Sequence, residues 1–287
     1  MISDITLGQF FPGFSHIHKL DPRTKIILSA FFIAAVFVAD TPVSFGVLVI
    51  ALVAMTALSR ISLGTIIKGV KPIIVILLIT AVINVLMTKA DSEPLVRFWI
   101  IEIYTEGIIR AAFMALRVII LIIGTSLLLT YTTSPISLTD GLESLLSPLK
   151  KIKVPVHTFA MMMSIALRFI PTLIEETEKI MNAQKSRGAD FSSGGLIKRA
   201  KSLIPILLPL FVSSFNRAEE LATAMECRCY RGDVGRTKLV KLEYRSRDVV
   251  AILLILLLLG GVIALRVFGS DIASLGSAFG IAFYKIR

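Results

Sequence analysis

Two arginines and two cysteines fall within nine residues, "AMECRCYRG", Ala224 to Gly232, where a helical pattern runs out. Two thiols suggest a metal, and two guanidiniums suggest an acid. Cys227 and Cys229 supply at most two soft ligands, whereas zinc takes four. Two positions apart on a helix, they also point to different faces. Metal binding is therefore not expected, here or elsewhere. The arginines are the better candidates, because a guanidinium pairs bidentately with a carboxylate in a way that lysine does not copy.

The stretch also has a counterpart. At an offset of 41 residues, Glu178 matches Glu219, Ile180 matches Leu221, Ala183 matches Ala224 and Arg187 matches Arg228. The shared frame is E-x-[I/L]-x-x-A-x-x-x-R. The alanine lies one turn before the arginine on the same helix face, so a partner can approach the backbone closely. Gly188 and Gly232 can each end a helix in a left-handed cap. The sequence thus predicts two helices that each present an arginine at the C-terminal tip. A plainer reading is that each base merely complements the helix dipole. The repetition of the same frame weighs against it.

The other candidate residues carry less. His16 and His18 flank Ile17 near the first apolar run, and a polar interfacial role fits them better than metal binding. His157 is isolated in the sequence. Arg110 and Arg117 lie in an apolar run, where an ionisable group is a functional hint by default. Arg110 can snorkel outward, and Arg117 is deeper with no evident partner. Too few acids lie in the apolar runs to support a proton relay. There is no G-x-x-x-x-G-K-[ST], H-E-x-x-H or G-x-S-x-G, so the chain is expected neither to bind ATP by that route nor to be an enzyme.

The elements that must position these tips are largely apolar. Of 287 residues, 55% are hydrophobic and 18% charged, and the mean hydropathy is +0.82. That is membrane-protein composition. The net charge of +11 reflects Lys/Arg enrichment in cytoplasmic loops rather than nucleic-acid binding. The two cysteines provide no disulfide framework. The N-terminus, polar and broken by Pro and Gly, does not read as a cleavable signal peptide.

Membrane helices are predicted at about 26–39, 43–58, 72–87, 107–131 and 248–267, and the tail beyond 267 is interfacial or a partial sixth span. The fold class is all-α: a polytopic membrane protein of about five spans with a helical coupling domain. The domains are an N-terminal membrane domain, 1–132, a coupling domain with two long helices, 133–247, and a last span with its tail, 248–287. The apolar halves of the two long helices, interrupted by Arg168 and Pro171 or by Pro205 and Pro209, read as ten to fifteen residues, too short to span. They suit a membrane surface or a partner protein. Region 133–247 carries 18 Lys/Arg and 11 acids, and bases also precede span one and follow span two. With the N-terminus inside, five spans place all these segments in the cytoplasm of a multi-pass cell-membrane protein, and the tail outside.

Three stretches together resemble the transmembrane T component of energy-coupling factor (ECF) transporters, the EcfT/CbiQ family of ABC-type importers. "GFSHIHKLDPRTK" is similar to the family's H-x-L-D-P-R-x-K motif at His18, Leu20, Asp21, Pro22, Arg23 and Lys25. "AQKSRGAD" and "AMECRCYRG" resemble its two Ala-Arg-Gly motifs, and the likeness covers essentially the whole chain. Both arginines are kept. The first motif reads Ser186-Arg187-Gly188 and the second Cys227-Arg228-Cys229, which shifts the expected second helix stop about a turn later, to Gly232. "CRCY" is more similar to the shared module of Gram-positive bacteria than to a dedicated cobalt or nickel system.

The resemblance implies a scaffold without a cofactor of its own, linking two cytoplasmic ABC ATPases, which bind ATP and Mg, to an interchangeable membrane S component that captures a vitamin or other micronutrient. Arg187 and Arg228 would dock in acidic ATPase grooves, and Arg231 would share that docking or cover the helix end. Met161, Met162, Met163, Ile206 and Phe211 are candidate S-component contacts. Flexible thioethers suit a surface that meets several partners, although the methionines could equally fill a core. "EELATAM" also resembles the coupling helix of a conventional ABC permease. Such a permease presents one coupling helix per subunit, and two tips in one chain favour the adaptor.

Overall fold

The computed structural model describes residues 10–11, 13–88, 96–98, 101–189, 191, 195–232 and 242–268. It is helical throughout, apart from a short antiparallel hairpin, β1 (Val96–Phe98) and β2 (Ile101–Ile103), with Arg97 opposite Glu102 in register. The chain divides into two compact units, one drawn from Phe10–Gly141 with Leu242–Arg287, the other containing Leu142–Lys241.

The first unit is a helical bundle. Its central helix is α1 (Pro22–Val38), which begins four residues before the expected position. Asp21 caps it by accepting from the Arg23 N–H at 2.9 Å, and Pro22 supplies the preset first turn. Phe32, Ala35 and Val36 are fully buried, so α1 forms the core of the unit. Around it stand α2 (Pro42–Ser59), α5 (Thr105–Thr125) and α9 (Ser246–Val267). Thr41 and Ser44 close a capping box at the start of α2. The third span also starts earlier than expected. A short amphipathic α3 (Leu63–Val70) runs through a 3-10 turn at Lys71–Ile73 into α4 (Ile74–Met87). α5 continues as a five-residue π stretch, Ser126–Thr130, a rare single-turn departure from α-helical regularity. Gly124 allows the close approach of α1 and α5, because the Phe32 ring occupies the space its side chain would need.

Five described stretches are long and apolar enough to cross a membrane: Pro42–Ser59, Leu63–Met87, Thr105–Thr130, Val156–Ser186 and Ser246–Val267. This set differs from the expected one. α1, at 17 residues, is at the lower end of the spanning range. The helix Val156–Ser186 joins the set because Pro171 does not end it; its apolar half is therefore not too short by length alone.

Side-chain contacts fix which ends of the bundle lie together. At one end, the Asp248 carboxylate accepts from the Asp21 N–H at 2.8 Å, and the buried Lys25 Nζ donates to the carbonyls of Thr132 at 2.7 Å and His18 at 3.3 Å. At the other end, Asp40 meets Arg266 at 3.1 Å and Arg117 at 3.6 Å. α1 and α9 therefore run parallel, and Thr132 and Asp248 lie at the same end of the bundle.

The second unit holds the end of α6 (Pro135–Leu146), a 3-10 turn at Ser147–Ile152 that contains Pro148, and two long helices, α7 (Val156–Ser186) and α8 (Leu196–Cys227). His157 is not isolated. Its Nδ1 lies 2.9 Å from Glu143 Oε1, and both residues are buried, so the pair ties α6 to α7. The tail beyond Phe268, together with the question of a sixth span, lies outside the described residues.

Candidate functional site

The two tips form by the same hydrogen bonds. At the end of α7, the Gly188 N–H donates to the Lys185 carbonyl at 2.9 Å and the Ala189 N–H to the Gln184 carbonyl at 3.0 Å. At the end of α8, the Cys229 N–H donates to the Glu226 carbonyl at 2.8 Å and the Tyr230 N–H to the Met225 carbonyl at 3.0 Å. Both are Schellman caps, in which the last carbonyls are satisfied by a chain reversal through a left-handed residue. That residue is Gly188, φ +85°, in the first tip and Cys229, φ +56°, in the second. The expected shift of the second stop to Gly232 is therefore corrected. α8 ends at Cys227, in the same register as α7 at Ser186. Backbone geometry is kept at the second tip even though a cysteine side chain makes it more costly there.

Each arginine occupies the C-cap of its helix, Arg187 at φ −87° and Arg228 at φ −90°. Ser186, Arg187, Gly188, Cys227, Arg228, Cys229 and Arg231 are all exposed. Among the described residues, the side chains of Arg187, Arg228 and Arg231 make no hydrogen bond or ion pair, so their guanidiniums are open to a partner. Ser186 Oγ donates back to the Asn182 carbonyl at 3.1 Å. The two cysteines are free thiols, and the described residues bring together no cluster of three or more His, Cys, Asp and Glu side chains.

A further contact, not foreseen from sequence, ties the two helices together. Glu176 Oε2 on α7 accepts from Arg217 Nη2 on α8 at 2.7 Å, and Glu176 Oε1 accepts from Ser213 Oγ at 2.5 Å. Glu176 and Arg217 are themselves 41 residues apart, so they are equivalent positions of the repeat. Each lies eleven residues before its tip arginine. At 1.5 Å per residue, each tip therefore projects about 16 Å beyond the clamp along its own helix. The available signal was the charge reversal at equivalent positions, an acid in one copy and a base in the other.

The candidate S-component contacts divide. Met162 and Met163 are about half exposed and Phe211 is 62% exposed, with the Phe215 ring tilted against it at 4.8 Å between ring centres. Met161 is intermediate. Ile206, by contrast, is buried at 5%, because five residues of helix turn it well away from Phe211. It is withdrawn as a contact residue. The exposed methionines do not fill a core.

Arg117, which had no evident partner, lies over the Phe45 ring at 5.4 Å, donates to the Ala39 carbonyl at 2.5 Å and faces Asp40. His18 is held by Ser15 Oγ at 2.6 Å and the Phe11 carbonyl at 2.9 Å. The "HKLDPR" motif is thus a structural staple. Arg23 donates to the Leu242 carbonyl and covers the Tyr244 ring, holding the segment before α9 against the start of α1.

These features define a polytopic helical membrane protein that carries a matched pair of helix tips. Residues 13–239 match the family model described as CbiQ, cobalt transport protein, and the chain belongs to this family. It is similar to the energy-coupling factor transporter transmembrane protein EcfT of Clostridium kluyveri, with 55% identity over 90% of this chain and 95% of the relative. It is also similar to the proteins of that name in Acidaminococcus fermentans, at 52% identity over 90% and 95%, and Bacillus subtilis, at 46% over 90% and 97%.

Proposed function

We propose that this chain is the scaffold of an ECF importer that joins two cytoplasmic ABC ATPases to a substrate-binding S component, with one helix tip for each ATPase. The observation that carries the reading is the pair of matched caps, which present the Arg187 and Arg228 side chains in the same backbone geometry with no partner among the described residues. A guanidinium held at a rigid tip suits a fixed carboxylate in a groove, where bidentate pairing sets orientation as well as affinity. Arg231, exposed just beyond the second cap, adds positive charge to that tip only.

ATP and Mg belong to the ATPases in this reading, and this chain works mechanically. Closure of the ATPase pair would move the two tips, and the Glu176–Arg217 clamp would carry that movement between the helices. The exposed Met162, Met163 and Phe211 form an adaptable apolar surface for the S component, which selects the vitamin or other micronutrient. The N-terminus and residues 133–247 face the cytoplasm, in keeping with their Lys/Arg content.

The test is uptake by membrane vesicles containing the complete transporter. Arg187→Glu or Arg228→Glu should reduce ATP-driven uptake at least tenfold while the chain remains in the membrane at wild-type amount. Normal uptake by the doubly substituted protein would refute the docking role.

A further inference from the structure

An apolar trough runs along the first unit between α2 and α9, with a volume of about 980 Å³. Leu28 and Ile17 form part of its inner wall, and Ala51 and Ala54 of α2 with Ala251 and Gly261 of α9 keep it open, because none of them fills the space between the helices. Its lining extends from Ser246 and Arg247 at the start of α9 to Phe268 just past its end. Apart from His16, Ser246 and Arg247, the lining residues are apolar.

Those three polar residues all lie at one mouth, where the basic charge is concentrated. His16 and Arg247 line it and are exposed, and Arg60 caps the neighbouring end of α2, two residues past the lining Leu58. Among the described residues, the side chains of His16, Arg60 and Arg247 make no hydrogen bond or ion pair. Among the described residues, none of the nearby carboxylates Asp21, Glu243 and Asp248 is ion-paired with them. Asp248 is buried and accepts from the N–H groups of Asp21 and Arg245, and Asp21 is engaged in capping α1. The opposite end of the bundle holds its basic side chains differently, since Arg117 and Arg266 both face Asp40.

A basic mouth above an apolar trough between membrane helices matches the chemistry of an anionic phospholipid. We infer that this trough is a specific site for such a lipid, with the phosphate at His16 and Arg247, reinforced by Arg60, and the acyl chains along Ala51, Ala54, Leu254 and Leu258. A zwitterionic lipid of the same chain length would fill the trough equally well but would bring a choline cation to the basic mouth. The site therefore discriminates by headgroup.

Native mass spectrometry of the delipidated full-length chain, titrated with phosphatidylglycerol or phosphatidylcholine of identical acyl chains, tests this. Phosphatidylglycerol should bind at least tenfold more tightly. The H16Q/R247Q protein should lose that preference while still binding both lipids weakly, and Ala54→Phe should weaken both lipids by occupying the trough. Equal binding of the two lipids by the unsubstituted chain, or a preference that survives in H16Q/R247Q, would overturn the proposal. So would a lipid-free dimer abolished by Ala54→Phe, which would make a second copy the occupant.

Discussion

Cys229 holds a backbone conformation that costs an L-residue about 1 kcal/mol and glycine almost nothing. Its equivalent in the first tip, Gly188, has no atom within contact distance of the position a side chain would take, so conformation alone decides the cost of replacing it. Gly188→Ala should destabilise the first tip by about 1 kcal/mol, which is about a fivefold change in local opening. Hydrogen exchange at the Ala189 amide, which donates to the Gln184 carbonyl, should quicken accordingly. Cys229→Gly should slow exchange at Tyr230 instead, and unchanged exchange in both variants would contradict the matched-cap assignment. The arginines and their spacing were legible from the repeat alone. The stop at Cys229 was not, because the usual preference for glycine pointed to Gly232. The carbonyl hydrogen bonds of the cap outweighed that preference. Arg117 and His157 were illegible for a different reason. Their partners, Asp40 and Glu143, are 77 and 14 residues away in the chain, and no local pattern links them.

At the level of the elements, the Glu176–Arg217 clamp is a partly exposed ion pair, so its contribution to stability is on the order of 1 kcal/mol or less. Its effect should be on geometry. Spin labels at Ser186→Cys and the native Cys227, with Cys229→Ser, report the tip-to-tip distance by electron paramagnetic resonance. Glu176→Gln should broaden that distance distribution, and the exchanged pair E176R/R217E should narrow it again. An unaltered width in Glu176→Gln would show that the clamp does not set the tips.

Gly124→Ala, at the contact of α1 with α5, forces the Phe32 ring from a fully buried position. The overpacking should cost about 1–3 kcal/mol and lower the melting temperature of the purified protein. Glycine spacing could not have marked this position, because the clash comes from a residue of another helix. α2, α4, α5 and α9 were legible to within a few residues from hydropathy, since length and apolar content are local properties, whereas Val156–Ser186 was not read as long enough to span. The early start of α1 depends on Asp21 and Pro22 acting as a cap, and the continuity of α7 depends on the helix tolerating Pro171.

For the whole molecule, two sets of ion pairs and hydrogen bonds hold opposite ends of the bundle in register, Asp21–Asp248 with Lys25 at one and Asp40 with two arginines at the other. They place Thr132 and Asp248 at the same end of the bundle. Asp40→Asn removes the carboxylate that faces Arg117 and Arg266. It should destabilise the bundle by more than a typical surface substitution, because Arg117 is mostly buried. A thermal shift of less than 2 °C would place the hold on Arg117 in the Ala39 carbonyl alone.

The central claim is that one chain meets two ATPases through two separate tips. Native mass spectrometry of the purified assembly tests it most directly. One copy of this chain per ATPase pair is expected in the wild-type assembly, one ATPase should be lost from each single Arg→Glu variant, and both from the double variant. Two copies of this chain per ATPase pair, or a double variant that keeps both ATPases, would contradict it.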